Sequence, residues 1–289
     1  MAITLHTPGT EDLGRVVDAL GKWQHEGAPM QLHPGDVGWF WRFGATATAA
    51  ALRTWSSDGQ LCAVGLLDGP GLLRLAMAPD VQRDEGLAHR LTADASDPAR
   101  GVLPRGAADV EVPTGALVDD VLAARGWTAG TRWTPLRHDL EEPADRDSRL
   151  RVEVVTPSRV EARVAVQRAA FPRSTFTSAR WHAMAVGPAY GTARCLIGYD
   201  ERGAAVATVT VWSAGPGRPG LVEPMGVHQE HRGHGHGTAI TRAGAEALRE
   251  LGSSSAVVYT PATNAGGIAT YRSAGFEPRT SMYDRHREG

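Results

Sequence analysis

The sequence matches itself at one fixed spacing. When its two halves are laid over each other at an offset of 149 positions, as from Arg83 to Arg232, three separate segments agree. Ile3-Thr4-Leu5-His6-Thr7-Pro8 lies over Val152-Glu153-Val154-Val155-Thr156-Pro157, each an extended apolar run closed by Thr-Pro. Arg83-Asp84-Glu85-Gly86-Leu87-Ala88 lies over Arg232-Gly233-His234-Gly235-His236-Gly237, and Gly115 through Gly126-Trp127 lies over Asn264 through Gly275-Phe276. Chance can supply one such match, but three at a single offset point to two copies of one fold. Length agrees, since 289 residues with 42% hydrophobic content suffice for two domains with a core each. The expected division is 1–142 and 150–289, joined near the charged, Pro-containing stretch Glu141–Ser148.

Periodicity places each copy in the α/β (α+β) class. In the second copy, apolar β-rich runs fall near 151–155, 193–199, 204–212, 220–227, 255–260 and 276–283. Helical spacing covers 158–170, 177–186, 239–251 with Gly252 as its stop, and 264–274 with Gly275 as its stop. The first copy follows the same course, with turn signals at Asp58-Gly59 and Asp68-Gly69-Pro70-Gly71.

Composition narrows the function classes. A formal net charge of −2, from 30 basic and 32 acidic residues, gives no overall field for nucleic acid or an anionic membrane. Cys62 and Cys195 are far apart and form neither a CxxC nor a metal-finger spacing, which suggests a reducing compartment. The start Met1-Ala2-Ile3-Thr4 lacks a basic region followed by an apolar core, and no apolar stretch reaches membrane-spanning length. A soluble, cytoplasmic protein is the expectation.

The chemistry-bearing segment runs from Val227 to Thr238, from a strand end through a turn into a helix. Gly233, Gly235 and Gly237 let the backbone approach a ligand and turn N–H groups toward one point, and the helix adds the positive end of its dipole. Such a cradle suits a pyrophosphate, with Arg232 adding a fixed charge. A Rossmann G-x-G-x-x-G fails, because the third glycine would fall on Ile240 or Thr238, and no Gly-Lys-Ser/Thr makes a P-loop. His228, His231, His234 and His236 have mixed spacings that present no tetrahedral set on one element, so no metal is expected.

These residues resemble a known family. Arg232-x-x-Gly235-x-Gly237 is similar to the Q/R-x-x-G-x-G/A signature of the Gcn5-related N-acetyltransferases (GNAT), and Asn264, Tyr271 and Gly275-Phe276 resemble that family's closing segment. The resemblance implies two tandem GNAT folds, each a mixed central sheet flanked by helices, in an arrangement similar to that of the mycothiol synthases. The Ala-, Arg- and Gly-rich composition fits an actinobacterial source. It implies acetyl-CoA as co-substrate, held by the backbone of Met225, Gly226 and Val227, by the turn Arg232, Gly233, His234, Gly235, His236, Gly237 and Thr238, and by Asn264 and Tyr271.

By the same resemblance, a neutral amine attacks the acetyl carbonyl directly and Tyr271 protonates the departing thiolate. Glu223, an acid within an apolar strand, is the candidate base, with His182 and His228 as alternatives. Pro224 implies a bulge or a strand edge, and at an edge Glu223 would face solvent. Phe171, Phe176, Trp181 and His182 lie in the family's substrate-facing region and suggest an amine with an apolar or planar body; as core anchors, Phe171 and Trp181 would say nothing about substrate. The expected acceptor is a primary amine of a small molecule, with a protein or peptide amine, or a non-catalytic acyl-CoA-binding role, as alternatives.

The first copy reads as a worn one. Asp84 and Glu85 put carboxylates into the turn that would face a pyrophosphate, Gly115 replaces the asparagine and Leu122 the tyrosine. Residues 1–142 are expected to keep the fold without the chemistry. Trp39-Phe40-Trp41 either completes the second copy's pocket or belongs to a core.

Overall fold

The computed structural model describes residues 2–143 and 149–289, so most of the expected junction lies outside the described residues. The first copy comprises β1 (Ile3–His6), α1 (Leu13–Trp23), α2 (Pro34–Phe40), α3 (Ala45–Ala51), β2 (Leu52–Ser57), β3 (Gln60–Leu67), β4 (Leu72–Met77), α4 (Glu85–Ser96), β5 (Ala108–Glu111), α5 (Leu117–Ala124) and β6 (Thr128–Asp139). The second comprises β7 (Arg151–Val154), α6 (Val160–Ala170), α7 (Ser178–Ala185), β8 (Ala193–Tyr199), β9 (Ala205–Ser213), β10 (Gly220–Val227), α8 (His236–Glu250), β11 (Ser255–Pro261), α9 (Ala265–Ser273), β12 (Glu277–Pro278) and β13 (Met282–Arg287). The order repeats from β1 to β7 onward, in keeping with the self-match in the sequence.

Each copy sandwiches its strands between helices. In the first, Leu87, Leu91, Val121 and Leu122 of α4 and α5 pack on one face of the sheet. Leu13, Val16, Leu20 and Val37 of α1 and α2 pack on the other. In the second, Ile240, Leu248 and Tyr271 of α8 and α9 cover one face, and Val160, Val164, Trp181 and Met184 of α6 and α7 cover the other. Such double coverage explains strands that read as near-continuous apolar runs.

The two copies are not separate sheets. The strands form one 13-stranded sheet in the order β1-β2-β3-β4-β5-β13-β6-β11-β10-β9-β8-β7, with β12 also paired to β6. The copies have exchanged their last strands: β6 of the first pairs along its length with β11 of the second, from Trp133↔Pro261 to Asp139↔Ser255. In return β13 of the second copy lies between β5 and β6, with Arg285↔Val110 on one side and Met282↔Trp133 on the other. Charged pairs fasten it there. Arg285 makes a two-pronged contact with Asp119 at 2.6 and 2.8 Å, His286 Nδ1 meets Asp109 at 2.8 Å, and Trp133 Nε1 donates to Asp284 at 3.0 Å. The apolar run expected over 276–283 is divided between β12 and β13, which pair with successive stretches of β6.

Cys62 and Cys195 are free and buried. No helix among the described residues is long and apolar enough to cross a membrane.

Candidate active site in the second copy

Two parallel strands that part company make the site. β10 and β11 pair only at Gly220↔Ala256 and Leu221↔Val257, at the start of β10. Beyond that point β10 carries a bulge between Val222 and Met225 in its pairing with β9. After the bulge Gly226 pairs with Thr208, and the His228 N–H reaches the Val206 carbonyl at 2.8 Å. Strand alternation then turns the N–H and C=O groups of Met225 and Val227 the other way, toward the gap left by β11. These are the peptide groups expected to meet an extended ligand.

The turn after β10 completes a cradle. Gly233 and Gly235 have φ of 82° and 78°, conformations that side chains rarely adopt, so glycine is required at both. The first helical bond of α8 runs from the Ala239 N–H to the Gly235 carbonyl at 3.1 Å, which leaves the N–H groups of His236, Gly237 and Thr238 without a helical partner. An anion fits such a helix start. The Nδ1 atom of His236 is also buried without a hydrogen-bond partner.

Splayed strand, turn and α9 enclose a cavity of about 590 Å³. Met225, Gly226, Val227, Arg232, Gly233, Gly235, His236, Gly237, Thr238, Asn264 and Tyr271 all line it, as does Phe171. His234 does not; it lines the neighbouring depression with Arg149 and Asp200. Arg232 spends one N–H on the Ala170 carbonyl at 2.9 Å, pinning the turn to the end of α6. Asn264 caps α9: its oxygen accepts the Gly267 N–H at 3.1 Å and its amide donates to Thr260 Oγ1 at 2.8 Å. It borders the cavity while fixing the start of the helix that carries Tyr271. The sequence reading missed Ala170, Gly266, Gly267 and Thr270 on this wall; the small residues after Asn264 were the signal, since they leave room at a helix start.

Tyr271 packs its ring 6.0 Å from that of Phe276 and is 7% exposed. Burial, with the nearby charge of Glu223, holds its phenol well above the ordinary value, so it keeps its proton at neutral pH. Glu223 sits on the bulge. It is half-buried and does not itself line the cavity; the charged groups that act on its carboxyl, Asp36, Asp68 and Arg74, belong to the first copy, and burial and Asp36 push it up to about 8.

Other candidates fall elsewhere. Phe176 and Trp181, 2% and 5% exposed, are core residues of α7 and its approach, which removes them as pocket walls. His182 is exposed on α7 beside Trp181, and His228 accepts the Glu230 N–H at 3.3 Å; neither lines the cavity. Trp39 of the first copy stacks on Phe176 at 5.2 Å and Trp41 is buried, so this aromatic cluster joins the copies. Among the described residues, no group of three or more His, Cys, Asp or Glu is placed to hold a metal ion.

The same places in the first copy are filled by the chain itself. Asp84, at the position of Gly233, turns its carboxylate onto the Leu87 N–H at 2.7 Å and occupies the start of α4. On β4 the Gly71 carbonyl accepts from Asp109 of β5 at 2.7 Å, so Leu75 and Met77 face the same gap. There the Leu75 carbonyl takes the Leu32 N–H at 2.9 Å, and the Met77 N–H donates to Gln31 Oε1 at 3.2 Å. Both halves of a ligand's berth are thus closed. Isothermal titration should give one equivalent of CoA per chain. Gly235→Val, which forces a side chain into the 78° conformation and onto Arg149, should abolish binding, while Gly86→Ala leaves it intact; two equivalents in the wild type would contradict this reading.

Residues 161–276 match the family model described as the acetyltransferase (GNAT) family. A tandem GNAT protein from the clavulanic acid biosynthesis pathway, solved without AcCoA, superposes with a TM-score of 0.64 at 20% identity, over 99% of this chain and 98% of that one. An acetyltransferase of the GNAT family from Colwellia psychrerythraea gives 0.62 at 15% identity, over 99% and 100%. A GCN5-related N-acetyltransferase from Sphaerobacter thermophilus gives 0.61 at 17%, over 99% and 95%. At these identities the likeness establishes a shared fold across both copies. No curated protein matches the chain at a significant level.

Proposed function

We propose that this chain, a tandem GNAT acyltransferase whose acetyltransferase domain spans residues 161–276, moves the acetyl group of acetyl-CoA to a primary amine of a small molecule. The reading rests on one observation: the splayed edge of β10, the glycine turn and Tyr271 converge on a single cavity. Acetyl-CoA supplies an activated thioester. The edge groups of Met225 and Val227 suit its amide-bearing arm, and the free N–H groups at the start of α8 suit its pyrophosphate. An N–H on the same edge, aimed at the carbonyl oxygen, would stabilise the negative charge that builds there during attack.

Two side chains divide the proton work. Tyr271 retains its proton at neutral pH and donates it toward the departing sulfur. Glu223, pushed up to about 8, takes the proton of the incoming ammonium, so kcat/KM should rise with pH until Glu223 is ionised. In the division into domains 1–142 and 150–289, the first copy reaches the site through the charged groups around Glu223.

A small acceptor is favoured by what lies near Glu223. Arg42, in the segment that follows α2, is near enough to feel the charge of Glu223, and it is sandwiched between the rings of Trp39 at 4.4 Å and Phe43 at 4.3 Å. Such crowding by the first copy near Glu223 suits a compact amine better than a protein tail. A panel of small amines and peptide N-termini, assayed by CoA release, tests it. Turnover should be confined to small amines; preference for the peptides, or no turnover with any amine, would overturn the proposal.

A further inference from the structure

The helix α2 crosses from the first copy into the second and ends its reach at Glu223. In Pro34-Gly35-Asp36-Val37-Gly38 the side chain is missing at 35 and 38, and that face lies on Trp212. A Cβ on Gly35 would stand 2.5 Å from Trp212 Cβ, and one on Gly38 would run into the indole ring. The Trp212 Nε1–H in turn donates to the Glu223 carbonyl at 2.6 Å. His33, just ahead of the helix, accepts the Gly35 N–H on Nδ1 at 2.9 Å, which leaves Nε2 to donate to the Pro219 carbonyl at 3.2 Å. Burial pushes its imidazole down to about 4, so it bridges the copies as a neutral ring.

This docking delivers Asp36, 3% exposed, to the base. One of its oxygens accepts the His33 backbone N–H at 2.6 Å and the other lies 2.9 Å from Arg74 Nη1. Its carboxyl is also within hydrogen-bond reach of that of Glu223. Two carboxyls in such contact cannot both carry charge cheaply, so Asp36 adds to burial in raising the affinity of Glu223 for a proton. Arg74 cannot neutralise the whole group, because it is divided among Asp36, Glu111 at 2.7 Å and Asp68 at 3.5 Å.

We propose that Asp36 is a positioning residue for acetyl transfer: supplied by the first copy, it faces Glu223 of the second and adds to burial in tuning it, so that the catalytic base is a carboxyl pair built across the two copies. This rests on the assignment of Glu223 as the base. In the step, an N–H bond of the acceptor ammonium breaks, its proton passes to a Glu223 oxygen, and its electron pair stays on nitrogen for attack. A carboxylate at its ordinary value, about 4.3, is a poor match for an ammonium; the neighbouring acid brings it closer. The charged and titratable groups facing Glu223 are Asp36, Asp68, Arg74 and Arg42 from the first copy and Tyr271 from the second. Burial raises its affinity for a proton most, Asp36 and Asp68 raise it further, and Arg74 opposes them.

The test is a carboxyl titration of the full chain, labelled with 13C at glutamate side-chain carboxyls, followed by NMR without substrates. One signal should titrate near pH 8 and vanish in Glu223→Gln. In Asp36→Asn its midpoint should fall below that of the parent, and the acidic limb of kcat/KM should move down with it. A Glu223 signal that titrates in the ordinary carboxylate range in the wild type, a midpoint unmoved in Asp36→Asn, or a moved midpoint with an unmoved limb, each overturns the proposal. Asp36→Ser is read in the same way if Asp36→Asn lacks a cooperative melt. Absence of turnover with any amine counts against the proposed reaction instead, and the NMR midpoint still decides the pairing.

Discussion

Replacing Tyr271 by phenylalanine should lower kcat by about 100-fold or more, the usual size of a positioned general acid's contribution, while leaving KM for acetyl-CoA close to that of the parent. The ring packs in the core against Phe276, so the change keeps the shape and removes only the hydroxyl on the cavity wall. Loss of the proton donor should be felt most when the leaving group is a poor one. Steady-state kinetics with a thiol-trapping readout checks the split. If Tyr271→Phe turns over at the parental rate, Tyr271 is a packing residue; if neither protein turns over, the chain binds acyl-CoA in a non-catalytic role.

The second large effect concerns the exchanged strands. Expressed separately, 1–142 and 150–289 should each fail to give a cooperatively melting protein, because the first lacks β13 beside β5 and the second lacks β6 beside β11. The second half would lose Leu136 and Leu140 from its core as well as seven backbone-paired positions of β11. Both halves would also expose bare sheet edges, which favour aggregation. Co-expression of the two pieces should restore a soluble complex with a single thermal transition. A soluble 150–289 fragment with a sharp melt would show that the exchange is dispensable.

Much of this was legible beforehand, for local reasons. The turn Arg232–Gly237 is written in glycines that its backbone angles demand, and the repeat is written in matching strand ends and helix stops. Helices α6 to α9 fall within a few residues of their expected spans, because their apolar spacing is set by one buried face. The strand exchange was not legible. The alternation in 128–139 and 282–287 is the same whether a strand pairs at home or with the other copy, and only the spatial partner differs. Asp36 was hidden for a similar reason, since nothing in Pro34-Gly35-Asp36 names a carboxyl that lies 187 positions on. Phe176 and Trp181 misled because an aromatic that lines a pocket and one that fills a core look alike in a sequence.

The exchange also orders events during synthesis. The first copy emerges from the ribosome with β5 paired to β4 on one side only, and its other edge stays open until Met282–Arg287 have been made. For that whole interval its open edge is a place where a neighbouring nascent chain can pair, and closure requires contact between segments 175 to 179 residues apart in sequence, from Arg285↔Val110 to Arg287↔Ala108. The first copy is thus the template on which the second copy's last strand finds its place.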